Sequence, residues 1–373
     1  MNWQLFKDIL SIDSTSGKER EIALWLNEHL DAPAKELMEV GDGTLNLFLN
    51  WGTPSVVFCT HMDTVPPYFA PKFPEVPEGS DVSQTSLRDP SHPCGWAPPS
   101  YPAEGGQSFR DVTPLRVTGR GSCDAKGQIF AMYTACKELE AKGCTGFGLL
   151  ILAGEETGSW GAKAFSKTGF EAPFLIVGEP TDNKMVSAAK GTLSYDLKFT
   201  GEAFHSGYPQ YGTSAVELFN QFYNVLKAVD WGMDPELGET TWNIGLLSSP
   251  NPQNILSPEL TCRLYFRTTF LSHQAVQEWM DSTPDLIGHL AVTPRGGDIP
   301  ARYVVLPGFE SAPVAFGSDA PHLMGFGHKI ICGPGSIKVA HRDNENVLVA
   351  DLESAVDQYV RMAVELNTYK SKD

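Results

Sequence analysis

The chain is short of positive charge. Its 373 residues carry 28 Lys and Arg against 45 Asp and Glu, a formal net charge of −17. A surface that grips phosphates must be rich in Lys and Arg, so a DNA or RNA partner is disfavoured. Cysteine is sparse and unpatterned: seven residues, an odd number, with no CxxC pair. That excludes a disulfide framework and a thiolate zinc site and leaves reduced thiols in a cytosol. No apolar run approaches the roughly 18 residues of a membrane span. The opening MNWQLFKDILSI has Asp8 where a signal peptide carries its apolar core, so a cytoplasmic protein with no membrane partner is expected. A GxSxG elbow is missing, which disfavours a serine hydrolase. The glycines of GRGSCDAKG (119–127) fit neither a P-loop nor the dinucleotide fingerprint.

What is present is a globular composition, 42% hydrophobic and 20% charged, long enough for two domains. Apolar residues at helical spacing run through 3–10 and 22–30, with Ser14-Thr15-Ser16-Gly17 as turn and cap chemistry between them. Short apolar runs at NLFLNW, SVVFCT, GLLILAG and FLIVGEP read as strands, and GQIFAMYTACKELEAKG as a helix closed by Gly143. Alternating strands and helices predict a mainly parallel sheet with helices on both faces. Residues 68–112, crowded with Pro, Gly and Ser, break the rhythm and are expected to fold over or beside the site mouth. From 185 to 295 the pattern becomes β-α-β-β-α-β, the ferredoxin-like unit. The expected fold is therefore α/β: a first domain of residues 1–184 and 296–373, with an inserted α+β domain at 185–295.

Four apolar strands or their continuations end in acidic residues or His: His61-Met62-Asp63, GRGSCDAKG with Asp124, LILAGEETG with Glu155-Glu156, and LIVGEPTD with Glu179. A fifth segment, GPGSIKVAHRDNE, supplies His341. In open parallel sheets, sites form beyond the carboxyl ends of the strands. Carboxylates gathered there need a counter-charge, and divalent cations supply it. Imidazole plus carboxylate without thiolate suits Zn2+, with Mn2+ or Co2+ as substitutes. There are enough oxygens for two ions sharing one bridging carboxylate. The i, i+2 spacing of His61 and Asp63 lets one ligate while the other orients it. Each piece alone reads equally as a hydrogen-bonded turn, a helix cap or a solvated helix start; the ordered combination carries the reading.

The motifs HMDTVP, GRGSCDAKG, GEETGSWGA, GEPTD, HSGYP and GPGSIKVAHRDNE occur in one order along the chain. In that order the chain resembles the M20 family of dinuclear zinc amidohydrolases and peptidases, which includes acetylornithine deacetylase, succinyl-diaminopimelate desuccinylase and glutamate carboxypeptidases. The likeness spans nearly the full length except 68–112. It implies a zinc-peptidase-like catalytic domain whose inserted domain is a dimerisation lid. By the same resemblance His61 and Glu179 hold one zinc, Glu156 and His341 the other, and Asp124 bridges them, with a cis peptide bond at Asp124–Ala125. Asp63 stands behind His61, and Glu155 is the general base. His205, in GEAFHSGYP, reaches across a homodimer to the other subunit's oxyanion, and Asn254 and Arg267 bind the polar end of the substrate. The sequence SSPNPQN lacks the Gly pair often found before the Asn, and AFGSDAPHL has no Arg after it, which counts against a succinyl pocket. GSDAPHL and GPGSIKVAH look closer to the acetylornithine deacetylases. The expected reaction is therefore hydrolysis of a small N-acyl amino acid, N-acetylornithine first. Alternatives are a desuccinylase, a di- or carboxypeptidase, or a non-catalytic binding scaffold on the same fold.

Overall fold

The computed structural model describes residues 1–74 and 115–369. Most of the 68–112 excursion, with Cys94 in it, lies outside the described residues. The chain opens with α1 (Trp3–Ser11), whose first turn is capped by the Asn2 side chain accepting from the Leu5 N–H at 3.2 Å. Helix α2 (Glu19–His29) follows, with Glu19 and Glu21 in its first turn, where the helix dipole favours anions. A hairpin of β1 (Ala34–Gly41) and β2 (Thr44–Trp51) leads to β3 (Val56–His61). After β4 (Arg116–Thr118) come α3 (Lys126–Ala141), β5 (Phe147–Leu152), α4 (Trp160–Ser166), β6 (Ala172–Val177) and β7 (Met185–Ala189).

The next stretch holds β8 (Gly191–Thr200), α5 (Ala215–Ala228), the short β9 (Met233–Asp234) and β10 (Gly238–Glu239), β11 (Thr241–Ser248), β12 (Glu259–Thr268), α6 (His273–Ile287) and β13 (Leu290–Gly296). The chain ends with β14 (Ala301–Arg302), β15 (Ser311–Val314), β16 (Phe326–Ile331), β17 (Asn346–Leu348) and α7 (Val349–Tyr369).

The main sheet has six strands in the order β1-β2-β5-β3-β6-β16. Strands β5, β3, β6 and β16 run parallel, and the β1-β2 hairpin adds two antiparallel strands at one edge. Every residue of β3 and of β5 is buried, as strands covered on both faces require. The two faces are separate cores. Val56 and Phe58 pack with Phe6, Leu26, Phe130 and Tyr359 of the flanking helices. Val57 and Cys59 face the other way, toward Phe165 of α4 and Val186 of β7. Strand β7 itself pairs with β14 and β15 in a three-stranded sheet.

A four-stranded antiparallel sheet, β11-β12-β8-β13, forms from the stretch predicted as ferredoxin-like, with two helices between its strands. Strand β8 alternates between buried and partly exposed residues, so one face meets α5 and α6 through Phe199, Phe222, Phe266 and Met280. The observed class is thus α/β with a mixed main sheet and this additional α+β sheet.

Candidate metal centre

The parallel strands deliver side chains to one rim. His61 is the last residue of β3, in register with Leu152 at the end of β5. Two residues beyond Leu152 the chain turns at Gly154 (φ +70°) into Glu155 and Glu156. Glu179 follows the end of β6, and His341 lies in the segment between β16 and β17. Asp124 arrives differently. It precedes α3, at the end of a segment leading from β4, which pairs with β17 outside the main sheet. The sequence reading of five converging strand ends is corrected to four strand-derived segments plus this one.

The side chains meet closely. His61 Nε2 lies 3.1 Å from Asp124 Oδ1, and His341 Nε2 lies 3.2 Å from Asp124 Oδ2 and 3.0 Å from Glu156 Oε1. Two groups of potential ligand atoms result, His61–Asp124–Glu179 and Asp124–Glu156–His341, each with its atoms within 4.8 Å of one another. Asp124 is common to both, one carboxylate oxygen toward each imidazole. The Asp124–Ala125 peptide bond is cis. His61, Asp124 and Glu179 are buried, whereas His341 is 49% exposed in its side chain and marks the open side.

Asp63 does more than stand behind His61. The His61 Nδ1 is 3.0 Å from the Asp63 backbone carbonyl and 3.4 Å from its carboxylate. A donating Nδ1–H leaves Nε2 free to ligate. The Asp63 carboxylate itself accepts from the backbone N–H groups of Glu155 (3.0 Å) and Glu156 (3.1 Å) and from Ser16 Oγ (3.0 Å). One buried carboxylate therefore ties the His61 strand end to the turn that carries both glutamates.

Burial pushes the Glu155 carboxyl well above its ordinary range; His61 opposes the shift, and Asp319, Glu156 and Asp124 add to it. Burial also raises Glu179 strongly, with Glu155 the next cause. For Asp124 burial is outweighed by hydrogen bonds from His341 and His61, which hold it below the usual carboxylate range. The same contacts, Asp124 first and then Glu156, raise the His341 imidazole to about 10. His61 is raised well above its usual value, because Asp124 and Asp63 outweigh its burial.

The donor set fits divalent cations. Asp124 and Asp63 raise the proton affinity of His61, and Asp124 and Glu156 that of His341, so the cluster favours positive charge at its centre. Glu179 Oε1 is buried without a hydrogen-bond partner among the described residues, a costly state for a carboxylate oxygen that a cation would relieve. Nitrogen and oxygen ligands without thiolate suit Zn2+ and similar ions.

Three residues named from the sequence are not brought to this cluster within the chain. His205 is exposed, and its contacts are local: its Nδ1 accepts from the Gly207 N–H at 3.1 Å, and it bridges to Ile255. Asn254 accepts from the Ser206 N–H through its backbone carbonyl at 2.9 Å. Arg267 stacks over Tyr265, its guanidinium carbon 5.1 Å from the ring centroid, with its Nη1 facing Gly317, two residues before Asp319. Asp319 is a group that sequence reasoning passed over. It is buried, hydrogen-bonded with the Ser159 side chain, and close enough to His61, Asp63 and Glu155 to influence their charge. The quoted GSDAPHL contained it. Glu345, in HRDNE, was passed over in the same way.

An α/β sheet whose strand ends gather two overlapping sets of imidazole and carboxylate ligands defines a metallohydrolase-type centre. Comparison with known proteins gives the family. Residues 98–365, more than half the chain, match peptidase family M20/M25/M40. A probable carboxypeptidase of Aspergillus flavus is 30% identical over 396 aligned residues, covering 95% of this chain and 85% of the relative. A tripeptidase structure from Staphylococcus aureus superposes with a TM-score of 0.74 at 18% identity, covering 98% of this chain and 97% of that one. An M20 metallo-carboxypeptidase from Sulfolobus solfataricus gives a TM-score of 0.67 at 16% identity, covering 97% and 98%. The chain belongs to peptidase family M20/M25/M40 and is a metal-dependent hydrolase of that family. No helix among the described residues is long and apolar enough to cross a membrane.

Proposed function

We propose that the protein hydrolyses the amide bond of a small substrate whose departing amine belongs to a residue with a free carboxylate, as in a short peptide cleaved at its C-terminal residue. The observation that carries this reading is the pair of ligand groups sharing Asp124, with half-buried Glu155 beside them. The names of the curated relatives favour a peptide substrate. A second reading, deacetylation of N-acetylornithine to ornithine and acetate, is favoured by the GSDAPHL and GPGSIKVAH motifs.

His61 and Glu179 would hold one ion, Glu156 and His341 the other, with Asp124 between them. Two divalent cations there, zinc with cobalt or manganese as substitutes, would polarise the scissile carbonyl and lower the pKa of a water toward neutrality. Glu155 takes the proton of the attacking water and returns it to the leaving amine. Its burial beside like charges raises its proton affinity, as that role needs. Arg267 and Asn254 hold the substrate carboxylate, Arg267 through its planar fork. His205 donates to the oxyanion from a second subunit, and the 185–295 segment is the dimerising lid of a catalytic domain formed by 1–184 and 296–373.

The test is a substrate panel with zinc-reconstituted protein: dipeptides with free and amidated C-termini, N-acetylornithine and N-succinyl-diaminopimelate. Free dipeptides should turn over, and their amidated forms should lose most activity. Turnover confined to N-acetylornithine selects the deacetylase; equal rates on free and amidated peptides sink the carboxylate requirement. Glu155→Gln should lower kcat by roughly 10²–10⁴ with zinc content unchanged.

A further inference from the structure

We infer that the buried ion pair of Arg120 and Glu345 is a clamp on the bridging ligand, with Glu345 a positioning residue that fixes Asp124 through its backbone. The inference rests on the reading above that Asp124 bridges two cations. Glu345 is fully buried and Arg120 is 1% exposed. Glu345 Oε1 accepts two backbone N–H groups, from Cys123 at 3.0 Å and from Asp124 at 3.0 Å. Glu345 Oε2 accepts from Arg120 Nη1 at 2.7 Å. Each oxygen thus has its own partner.

The position of this pair argues for more than packing. Arg120 Nε donates to the Pro67 carbonyl at 3.1 Å, the Arg120 N–H donates to the Phe69 carbonyl at 3.2 Å, and the guanidinium lies 5.0 Å from the Phe69 ring centroid. Glu345 lies four residues beyond His341, and its backbone carbonyl accepts from the Gly119 N–H at 3.2 Å. One ion pair therefore joins the segment that follows His61, the segment that leads into Asp124 and the segment that follows His341. These segments carry a ligand of the first ion, the shared ligand and a ligand of the second.

The balance at Asp124 is fine: its two carboxylate oxygens lie 3.1 Å and 3.2 Å from the two imidazoles. A bridging carboxylate must reach both ions at once, so a small rotation of its backbone favours one ion over the other. Two N–H bonds to one fixed oxygen resist that rotation. A buried ion pair is weak evidence of a stabilising role, since its desolvation offsets its attraction. Supporting groups behind metal ligands, by contrast, commonly change metal affinity by about 10–100-fold when altered.

Glu345→Gln keeps an oxygen for the two N–H groups but sets an amide N–H against Arg120 Nη1, donor against donor, so the clamp must shift. Arg120→Lys keeps the charge and loses the fork. The control is Ser55→Ala, which removes a buried hydroxyl bonded to Asn367 Oδ1 beside the opposite end of β3. The readouts are zinc affinity of the metal-free protein by chelator competition, the d–d spectrum after cobalt loading, and steady-state kinetics. E345Q should bind zinc about 10–100-fold more weakly, change the cobalt spectrum and lower kcat with KM little changed. R120K should do the same to a smaller degree, and S55A should do none of it. Wild-type zinc affinity and cobalt spectrum in both E345Q and R120K overturn the inference, as does an equal loss in S55A. If E345Q does not fold, R120K alone decides by the same readouts. A wild-type chain that takes up fewer than two zinc ions refutes the two-ion reading instead, and the inference falls with it.

Discussion

Asp319 is the residue whose surroundings make the sharpest claim about pH. It is 2% exposed, and its Oδ1 has no hydrogen-bond partner among the described residues. Burial is the main cause that lifts its carboxyl from 3.8 to about 6; His61 and the Ser159 hydroxyl oppose the shift, and Asp63 adds to it. A raised carboxyl pKa means the folded chain holds a proton that the unfolded chain has released. The contribution of Asp319 to stability is therefore greatest below about pH 4, declines as pH rises to about 6, and stays unfavourable above that. Asp319→Asn removes the titration and keeps a group able to bond Ser159. Melting curves of the metal-free protein should give D319N an advantage on the order of 3 kcal/mol at pH 7.5, at about 1.4 kcal/mol per pKa unit, shrinking toward zero at pH 4. An advantage that is the same at both pH values would show that Asp319 does not carry the shift.

At the scale of elements, the glycines where the chain enters and leaves the four-stranded sheet are constrained by backbone rather than by turn chemistry. A Cβ on Gly297 would sit 1.9 Å from the Thr192 carbonyl oxygen, and one on Gly191 would sit 2.5 Å from that of Asp298. The two segments cross there, held by the Thr192 N–H on the Asp298 carbonyl at 2.8 Å. Gly297→Ala must force them apart, and denaturant unfolding should record a loss of about 1–3 kcal/mol. Gly245→Ala in β11, where a Cβ would meet nothing within 4 Å, should stay within roughly 0.5 kcal/mol of wild type. The legibility of the elements follows the same logic of local against distant causes. Strands β2, β3, β5 and β6 and helix α3 declare themselves because their burial is written in contiguous or periodic apolar residues. Strand β1 does not, since AKELMEVG is an edge strand that is nowhere fully buried and carries charge. Helix α7 is passed over by a motif-led reading although Leu352, Val356, Tyr359, Ala363 and Leu366 form a helical stripe. In the site, the spacing of His61 and Asp63 was visible. That the Asp63 carboxylate holds the backbone of Glu155, 92 positions away, was not, and neither was the reach of Glu345 to Asp124 across 221. Such contacts are properties of the closed fold, not of any local pattern.

The whole molecule presents a centre to which one chain brings two groups of candidate metal ligands and Glu155, but to which its own His205 makes no contact among those found for it. Around His205 the surface is apolar and uncovered: Phe204 is 40%, Tyr208 57% and Tyr211 62% exposed. Leu246 and Leu247 on β11, at the edge of the four-stranded sheet, are 72% and 55% exposed. Exposed aromatic and aliphatic residues at a sheet edge are what a partner surface would cover. If that partner is a second copy, the histidine of one subunit serves the metal centre of the other, and two crippled variants can repair each other. Glu155→Gln lacks the base but keeps His205; His205→Ala lacks the donor but keeps Glu155. Each alone should lose on the order of 10²–10³ in kcat or more. In a two-fold dimer formed from both, one site receives an intact Glu155 and an intact His205, while the other receives neither. Random exchange makes half of the dimers mixed, with one working site of two, so activity should recover to about a quarter of wild type. The −17 charge on each chain opposes association at low salt, so subunit exchange should be run near physiological ionic strength, where the Debye length is about 8 Å. Recovery that rises with mixing time and plateaus near a quarter places His205 in trans. Stable mixed dimers, proven by differently tagged subunits, that stay as inactive as their parents would refute it.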